Sequence, residues 1–243
     1  MANKNITRKA TGIEYNHLPT HLAIIPDGSG RWAELHGLSR IEGHRAGLEN
    51  MRRMINYISE YPIKYVTIYG FSTENWLRPD DEVKGIFDLL EEVIYEYTRE
   101  IHRKGVRLLH IGRFYELPQG LQKAIKRSIE LTKNNTGMTL SIALNYGGRA
   151  EIVDAARHLI STGVSPQNIN EESFPGYLYT NGIPDVDLLV RTGDVVRLSN
   201  FLIWQTAYSE YHFSKVLWPN FRKKDMDKAL LSYSRRKRRF GGL

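Results

Sequence analysis

Five short apolar runs, each separated from the next by polar turns or by stretches of helical periodicity, constrain this chain more than any other feature. The runs are LAIIP (22–26), YVTIYGF (65–71), VRLLHIG (106–112), MTLSIALNY (138–146) and VDLLVRTG (186–193). They are β-branched or aromatic and end at Gly, Pro or polar residues, the pattern of strands. Helical spacing occupies 44–59, 80–104, 117–134 and 148–162. The segment 80–104 opens after Pro79 with Asp80, Asp81 and Glu82, which suit the positive end of a helix dipole. Its apolar residues Val83, Ile86, Phe87, Leu90, Val93, Ile94 and Tyr97 step by three and four, so one face is apolar. Such alternation predicts an α/β fold with a mostly parallel central sheet flanked by helices. Ligands of such sheets bind beyond the carboxyl ends of the strands.

The 243 residues suit one large domain, spanning 21–243 after a polar arm at 1–20. The loop-rich stretch 163–185 is expected to cover that domain rather than divide it. The formal charge of +7 favours anionic partners: nucleic acid, an acidic membrane surface or a phosphorylated small molecule. No cysteine is present, which excludes disulfides and thiolate metal sites and is compatible with a reducing cytosol. The amino terminus lacks the apolar core of a secretory signal, and no apolar run approaches the roughly 20 residues of a spanning helix. A cytoplasmic protein, at most peripheral to a membrane, is therefore expected.

Three strand ends carry unusual chemistry: PDGSGRW (26–32), GFSTENWLRP (70–79) and RTGDVVRLSNF (191–201). By the strand-end rule they converge on one site. In the first, Gly28 and Gly30 let backbone N–H groups approach an anion, and the Arg31 fork can grip phosphate. Locally this reads equally as a glycine turn closing a strand. Asp27 beside a phosphate requires a divalent metal between them, so a functional Asp27 implies Mg²⁺. The second holds Ser72, Thr73, Glu74 and Asn75 beside Trp76, either a ligand loop or a polar loop with one anchoring Trp. In the third, Arg191, Arg197 and Ser199 suit a second diphosphate or a solvated turn. Glu210 follows a short apolar helix expected at its amino side and by itself reads as a surface carboxylate. His44 reads as a cap or surface residue, and the histidines show no metal-binding spacing. The basic run Arg235–Arg239 reads as a solvated helix end. A nucleic-acid patch is disfavoured, because only Tyr233 and Phe240 are near for base stacking.

Together the blocks HLAIIPDGSGRWA, EGHRAG, YGFSTENWLRP, NYGGR, RLSNFLIWQTAYSE, LWPNF and RRFGG resemble the cis-prenyltransferase (isoprenyl transferase) family, from His21 to Gly242. The resemblance implies a homodimer with an apolar tunnel walled by the sheet and the long helix. It implies condensation of an allylic diphosphate, such as farnesyl or geranyl diphosphate, with isopentenyl diphosphate. The product would be a cis-polyprenyl diphosphate such as undecaprenyl diphosphate, a lipid carrier, with membrane contact for its release. By position, Asp27 would place Mg²⁺, with Glu210 as the second metal carboxylate. Asn75 would accept the proton, with Ser72, Thr73 and Glu74 beside it. Gly28, Ser29, Gly30, Arg31, Arg40 and His44 would form the allylic diphosphate pocket, bordered by Trp32, Trp76 and Arg78. Arg191, Arg197, Leu198 and Ser199 would hold isopentenyl diphosphate, and Arg239 and Gly241 would reach the partner subunit's site.

The chain departs from the family pattern at several positions. Ser29 stands where Asn is usual, and Asp194 and Val195 stand where Gly and Glu are expected. Val196 replaces a His that some relatives use for metal. Leu144 is bulkier than the residue frequent there, which would shorten the product. A short- or medium-chain synthase, a synthase of altered regiochemistry, and a non-catalytic partner subunit are the alternatives. Retention of Asp27, Arg31, Asn75 and Glu210 argues against the last.

Overall fold

The computed structural model describes residues 17–236 and the backbone of two two-residue strands, β1 (Ile6–Thr7) and β2 (Glu14–Tyr15). The main sheet contains β3 (His21–Ile25), β4 (Tyr65–Ser72), β5 (Arg107–Ile111), β6 (Thr139–Tyr146), β7 (Leu188–Arg191) and β8 (Glu210–Phe213). All six strands are parallel, in the order β5-β6-β4-β3-β7-β8. Six helices surround them: α1 (Ser29–Leu35), α2 (Arg40–Ile58), α3 (Asp80–Arg103), α4 (Gln119–Thr132), α5 (Gly148–Ser161) and α6 (Lys223–Arg235). No helix among the described residues is long and apolar enough to cross a membrane.

The five expected strands and four expected helices are all present. Ser39 and Glu42 close a capping box that fixes the start of α2. Burial explains why the strands lack strict alternation: both faces of the sheet are covered. Leu22 and Ile24 face the layer of α2 and α6, whereas Ala23 and Ile25 pack with Tyr69, Tyr146 and Phe201 on the other side. A third cluster joins Phe71 and Leu144 to the inner faces of α3 and α4.

The short apolar helix expected before Glu210 does not form. Residues 201–209 are turns, and Ser199, Asn200 and Leu202 have positive φ values of 49°, 64° and 46°. A left-handed backbone cannot begin a right-handed helix. The strand β8 and the helix α6 escape the sequence pattern, the first because it is a four-residue edge, the second because much of its surface is polar.

One buried amide ties the carboxyl-terminal third to α2. The Asn50 side chain, 0 % exposed, donates to the carbonyls of Trp218 (2.6 Å) and Phe221 (3.0 Å). Asn50→Ala removes both bonds and leaves the Trp218 carbonyl with only the Phe221 N–H (3.0 Å) and the Phe221 carbonyl with only Arg222 Nη1 (3.4 Å). The expected loss is about 2 kcal/mol, at roughly 1 per hydrogen bond lost. It should appear as a lower urea midpoint at unchanged m value.

A second buried group makes stability pH-dependent. Glu151 of α5 is 1 % exposed; its Oε2 accepts from the Tyr146 hydroxyl (2.5 Å) and Gln205 Nε2 (3.0 Å). Its Oε1 and the Gln205 Oε1 have no hydrogen-bond partner among the described residues. Burial pushes this carboxyl above its ordinary value of 4.5, against the hydrogen bonds from Tyr146 and Gln205. The folded state therefore holds the proton to higher pH than the unfolded chain. Stability is full below pH 4.5 and declines as pH rises through the raised folded value. Glu151→Gln removes this contribution, and its amide can also donate to Gln205. Melting temperatures from pH 4.5 to 8.5 should fall less in the variant; parallel curves would refute the assignment.

Candidate active site

β3 sits where the strand order reverses, with β4 on one side and β7 on the other. Such a switch point opens a crevice at the carboxyl ends. The crevice brings Asp27 to Arg191: Ile25 of β3 is level with Arg191 of β7. The Arg191 guanidinium is buried and donates to Asp27 Oδ2 at 2.8 Å. Arg31, one turn into α1, donates to Oδ1 at 3.2 Å. The Asp27 carbonyl is held as well, by the Thr192 hydroxyl at 2.7 Å and the Trp218 N–H at 3.0 Å. Gly28 turns the chain with φ 112°, where any side chain would be strained.

Ser29 is set by two glycines of α2. A Cβ on Gly43 would lie 2.4 Å from the Ser29 carbonyl, and one on Gly47 would lie 2.6 Å from its hydroxyl. The glycines of EGHRAG thus let α1 lie against α2. This placement aims the DGSGR loop, and sequence alone does not reveal it.

The cleft above the strand ends is lined by Asp27, Gly28, Ser29, Gly30, Arg31, Arg40, His44, Ser72, Glu74, Asn75, Arg78, Arg191, Arg197 and Ser199. It holds two cationic groups. On one side Arg40, His44 and Arg78 surround the Glu82 carboxylate, at 3.5, 3.4 and 3.0 Å. Glu82 was not among the residues expected from sequence, and only its place one turn into α3 hints at it. Burial lowers the His44 pKa, against its hydrogen bond to Glu82, which favours the neutral ring. On the other side Ser199 Oγ accepts from Arg191 (2.8 Å) and Arg197 (3.2 Å). Arg197 makes no ion pair among the described residues.

Behind this cleft lies an apolar cavity of about 100 Å³ between α2, α3, α4 and the strands β5 and β6. Leu48, Met51 and Leu90 line both spaces, so the two adjoin. Leu144 lines the apolar cavity and is buried.

Several expected residues lie elsewhere. Trp32 stacks on His36 and donates to Asn220 at 3.1 Å, outside the cleft lining. Trp76 is anchored by its indole N–H to Asn145 Oδ1 at 2.8 Å and packs on Phe71 and Phe87. Thr73 and Leu198 are likewise absent from the lining. Asn75 Oδ1 accepts the Ser72 N–H at 3.0 Å, fixing the amide in place.

Glu210 requires a correction. It pairs in register with Leu188, three residues before Arg191 on a parallel neighbour. At about 3.3 Å per residue that is roughly 10 Å toward the opposite end of the sheet. There it pairs with Arg236. Within one chain this register keeps Glu210 apart from Asp27, and no group of three potential metal ligands exists among the described residues. Asp194 and Val196 are exposed and do not line the cleft. Arg239 and Gly241 lie outside the described residues.

Comparison with known proteins agrees with this geometry. A family profile described as "Putative undecaprenyl diphosphate synthase" matches residues 25–241. The chain belongs to that prenyltransferase family. It is 48% identical over 235 residues to an isoprenyl transferase of Heliobacterium mobile, covering 95% of this chain and 90% of the relative. It is also 48% identical over 227 residues to an isoprenyl transferase of Fusobacterium nucleatum, covering 93% and 97%. Among solved structures, lavandulyl diphosphate synthase from Lavandula x intermedia, in complex with dimethylallyl diphosphate, superposes with a TM-score of 0.88 at 36% identity. That match covers 92% of this prenyltransferase and 98% of the plant chain. A "probable undecaprenyl diphosphate synthase" from Campylobacter jejuni superposes with a TM-score of 0.78 at 32% identity, covering 93% and 99%.

Proposed function

We propose that this prenyltransferase condenses an allylic diphosphate, such as farnesyl or geranyl diphosphate, with isopentenyl diphosphate. Each round releases diphosphate and adds one cis isoprene unit. The observation that carries this reading is the junction of a doubly cationic cleft with an apolar cavity through Leu48, Met51 and Leu90. The first cationic group, Arg31, Arg40 and Arg78, with the His44 ring beside it, would take the allylic diphosphate. Arg191, Arg197 and Ser199 would take the isopentenyl diphosphate. The growing hydrocarbon would extend into the cavity, where burial stabilises each five-carbon unit by about 4 kcal/mol at ~0.8 per carbon.

In the reaction, the allylic carbon–oxygen bond breaks as the isopentenyl double bond forms a new carbon–carbon bond. A proton then leaves beside Asn75. The arginines are aimed where negative charge builds on the departing diphosphate. Holding both substrates in line supplies a further part of the rate. Asp27, the carboxylate between β3 and β7, suits Mg²⁺, because Mg²⁺ takes one or two carboxylates and completes its shell with phosphate oxygens and water. Bound there, the metal would neutralise and polarise the leaving diphosphate. An undecaprenyl product, a homodimer and a cytoplasmic enzyme in peripheral contact with a membrane complete the proposal.

The test is to incubate the protein with Mg²⁺, isopentenyl diphosphate and allylic starters of several lengths, then weigh the products. Turnover of isopentenyl diphosphate without another protein supports the proposal; none would defeat it. A C55 product supports the lipid-carrier role, and C15 to C35 a shorter-chain synthase. A synthase of altered regiochemistry is the second reading, favoured by exposed Val196 and by the likeness to lavandulyl diphosphate synthase. Product formed from dimethylallyl diphosphate alone would select it.

A further inference from the structure

Asn200, on the loop after β7, bonds to the loop after β4 and to the start of α5 after β6. Its Nδ2 donates to Glu74 Oε1 at 2.7 Å, on the loop after β4. Its Oδ1 accepts the Arg149 N–H at 2.9 Å, at the start of α5 after β6. Its carbonyl, on the loop after β7, accepts the Gly148 N–H at 2.7 Å. The fit is close: a Cβ on Gly147 would lie 2.8 Å from Asn200 Nδ2 and 2.5 Å from Thr73 Oγ1. Asn200 also has φ 64°, a conformation that asparagine tolerates better than most residues.

The chemistry of the two side-chain bonds selects an amide. One partner is a carboxylate and needs a donor; the other is an N–H and needs an acceptor. Asn supplies both from one short side chain, whereas Asp at neutral pH would face Glu74 with a like charge. Asn200 directly follows Ser199, which accepts from Arg191 and Arg197, and Glu74 directly precedes Asn75. Burial would raise the Glu74 carboxyl, but the hydrogen bonds of Asn200, the backbone and nearby hydroxyls outweigh it and keep the group ionised.

We propose that Asn200 is a positioning residue whose amide joins the Ser199 loop to the Glu74–Asn75 loop, setting the diphosphate-binding arginines at a fixed distance from the Asn75 amide. The proposal rests on the reading of the cleft as the prenyl-transfer site. The ionisable groups around the bridge are Tyr69 on β4, Arg149 on α5, Arg191 at the end of β7 and Arg197 after it. Burial pushes the Tyr69 hydroxyl up, away from the acid range. The paired carboxyls that Asn200→Asp would create are therefore the part of the altered bridge whose protonation changes as pH falls, because two like charges at one site favour holding a proton.

The experiment compares Asn200→Asp and Asn200→Ala with the unmodified protein in steady-state turnover of isopentenyl diphosphate, from pH 5.5 to 8.5. At pH 8 both variants should lose about 10- to 100-fold in kcat/KM, the cost of about one charge-assisted hydrogen bond. Toward pH 5.5 the Asp variant should regain about 10-fold relative to the unmodified protein. One proton shared by the two carboxyls then restores a donor. The Ala variant should show no such recovery. Adding Glu74→Gln to Asn200→Asp reverses donor and acceptor and should raise activity at pH 8 above that of Asn200→Asp alone. Full activity in Asn200→Asp, or a loss that is the same at every pH, overturns the proposal. If the unmodified protein does not consume isopentenyl diphosphate, the functional reading fails instead. Melting of Asn200→Asp against pH then tests the bridge alone, with recovery at low pH supporting it and a flat difference refuting it.

Discussion

Asp27→Ala should lower turnover by about 10³-fold while leaving a folded protein, as a lost metal carboxylate and a lost anchor for charge stabilisation would. The carboxylate lies between Arg31 and Arg191, so its removal frees two cations at the mouth of the cleft. Arg191 stays tied through its hydrogen bonds to Ser199 and to the Arg197 carbonyl, which is why the fold should survive. Circular dichroism and melting check the fold; product formation over a Mg²⁺ series checks the role. Loss of the Mg²⁺ dependence together with rate is the expected pattern. Activity within a few-fold of the unmodified protein would sink the assignment of Asp27.

Ile94→Trp should shorten the product by at least one five-carbon unit. Ile94 projects from α3 into the apolar cavity, opposite β5 and β6. A larger ring there removes space for the tail of the chain. Loss of burial for one unit forfeits about 4 kcal/mol, or roughly a thousandfold in the preference for further growth. Mass spectrometry of the products reads the shift, and Ile94→Ala should move it the other way. Unchanged product lengths in both variants would show that the chain grows elsewhere.

The strands and four of the helices were legible because their signals are local. Period-two and period-3.6 patterns and Pro79 before three acids need no distant partner. The segment 201–209 was misread because its apolar residues fit a helix, whereas Ser199, Asn200 and Leu202 turn the backbone left-handed. The anchors of Trp32 and Trp76 were not legible, because Asn220 and Asn145 are partners 188 and 69 residues away. Asn200 itself carried no local signal, because its importance lies in three contacts made by remote loops.

What the sequence determined by itself was the chemistry available at each strand end: an acid and an arginine after β3, a hydroxyl–amide group after β4, two arginines and a serine after β7. Local order sets that chemistry, because a residue's place relative to the end of its own strand depends on nearby turns. The tertiary structure decided which of these groups meet. The strand order put β7 beside β3 and so joined Arg191 to Asp27. The parallel register of β8 carried Glu210 to the far end of the sheet. Pairing and register arise from contacts between segments far apart in the chain, and those contacts exist only once the sheet has assembled.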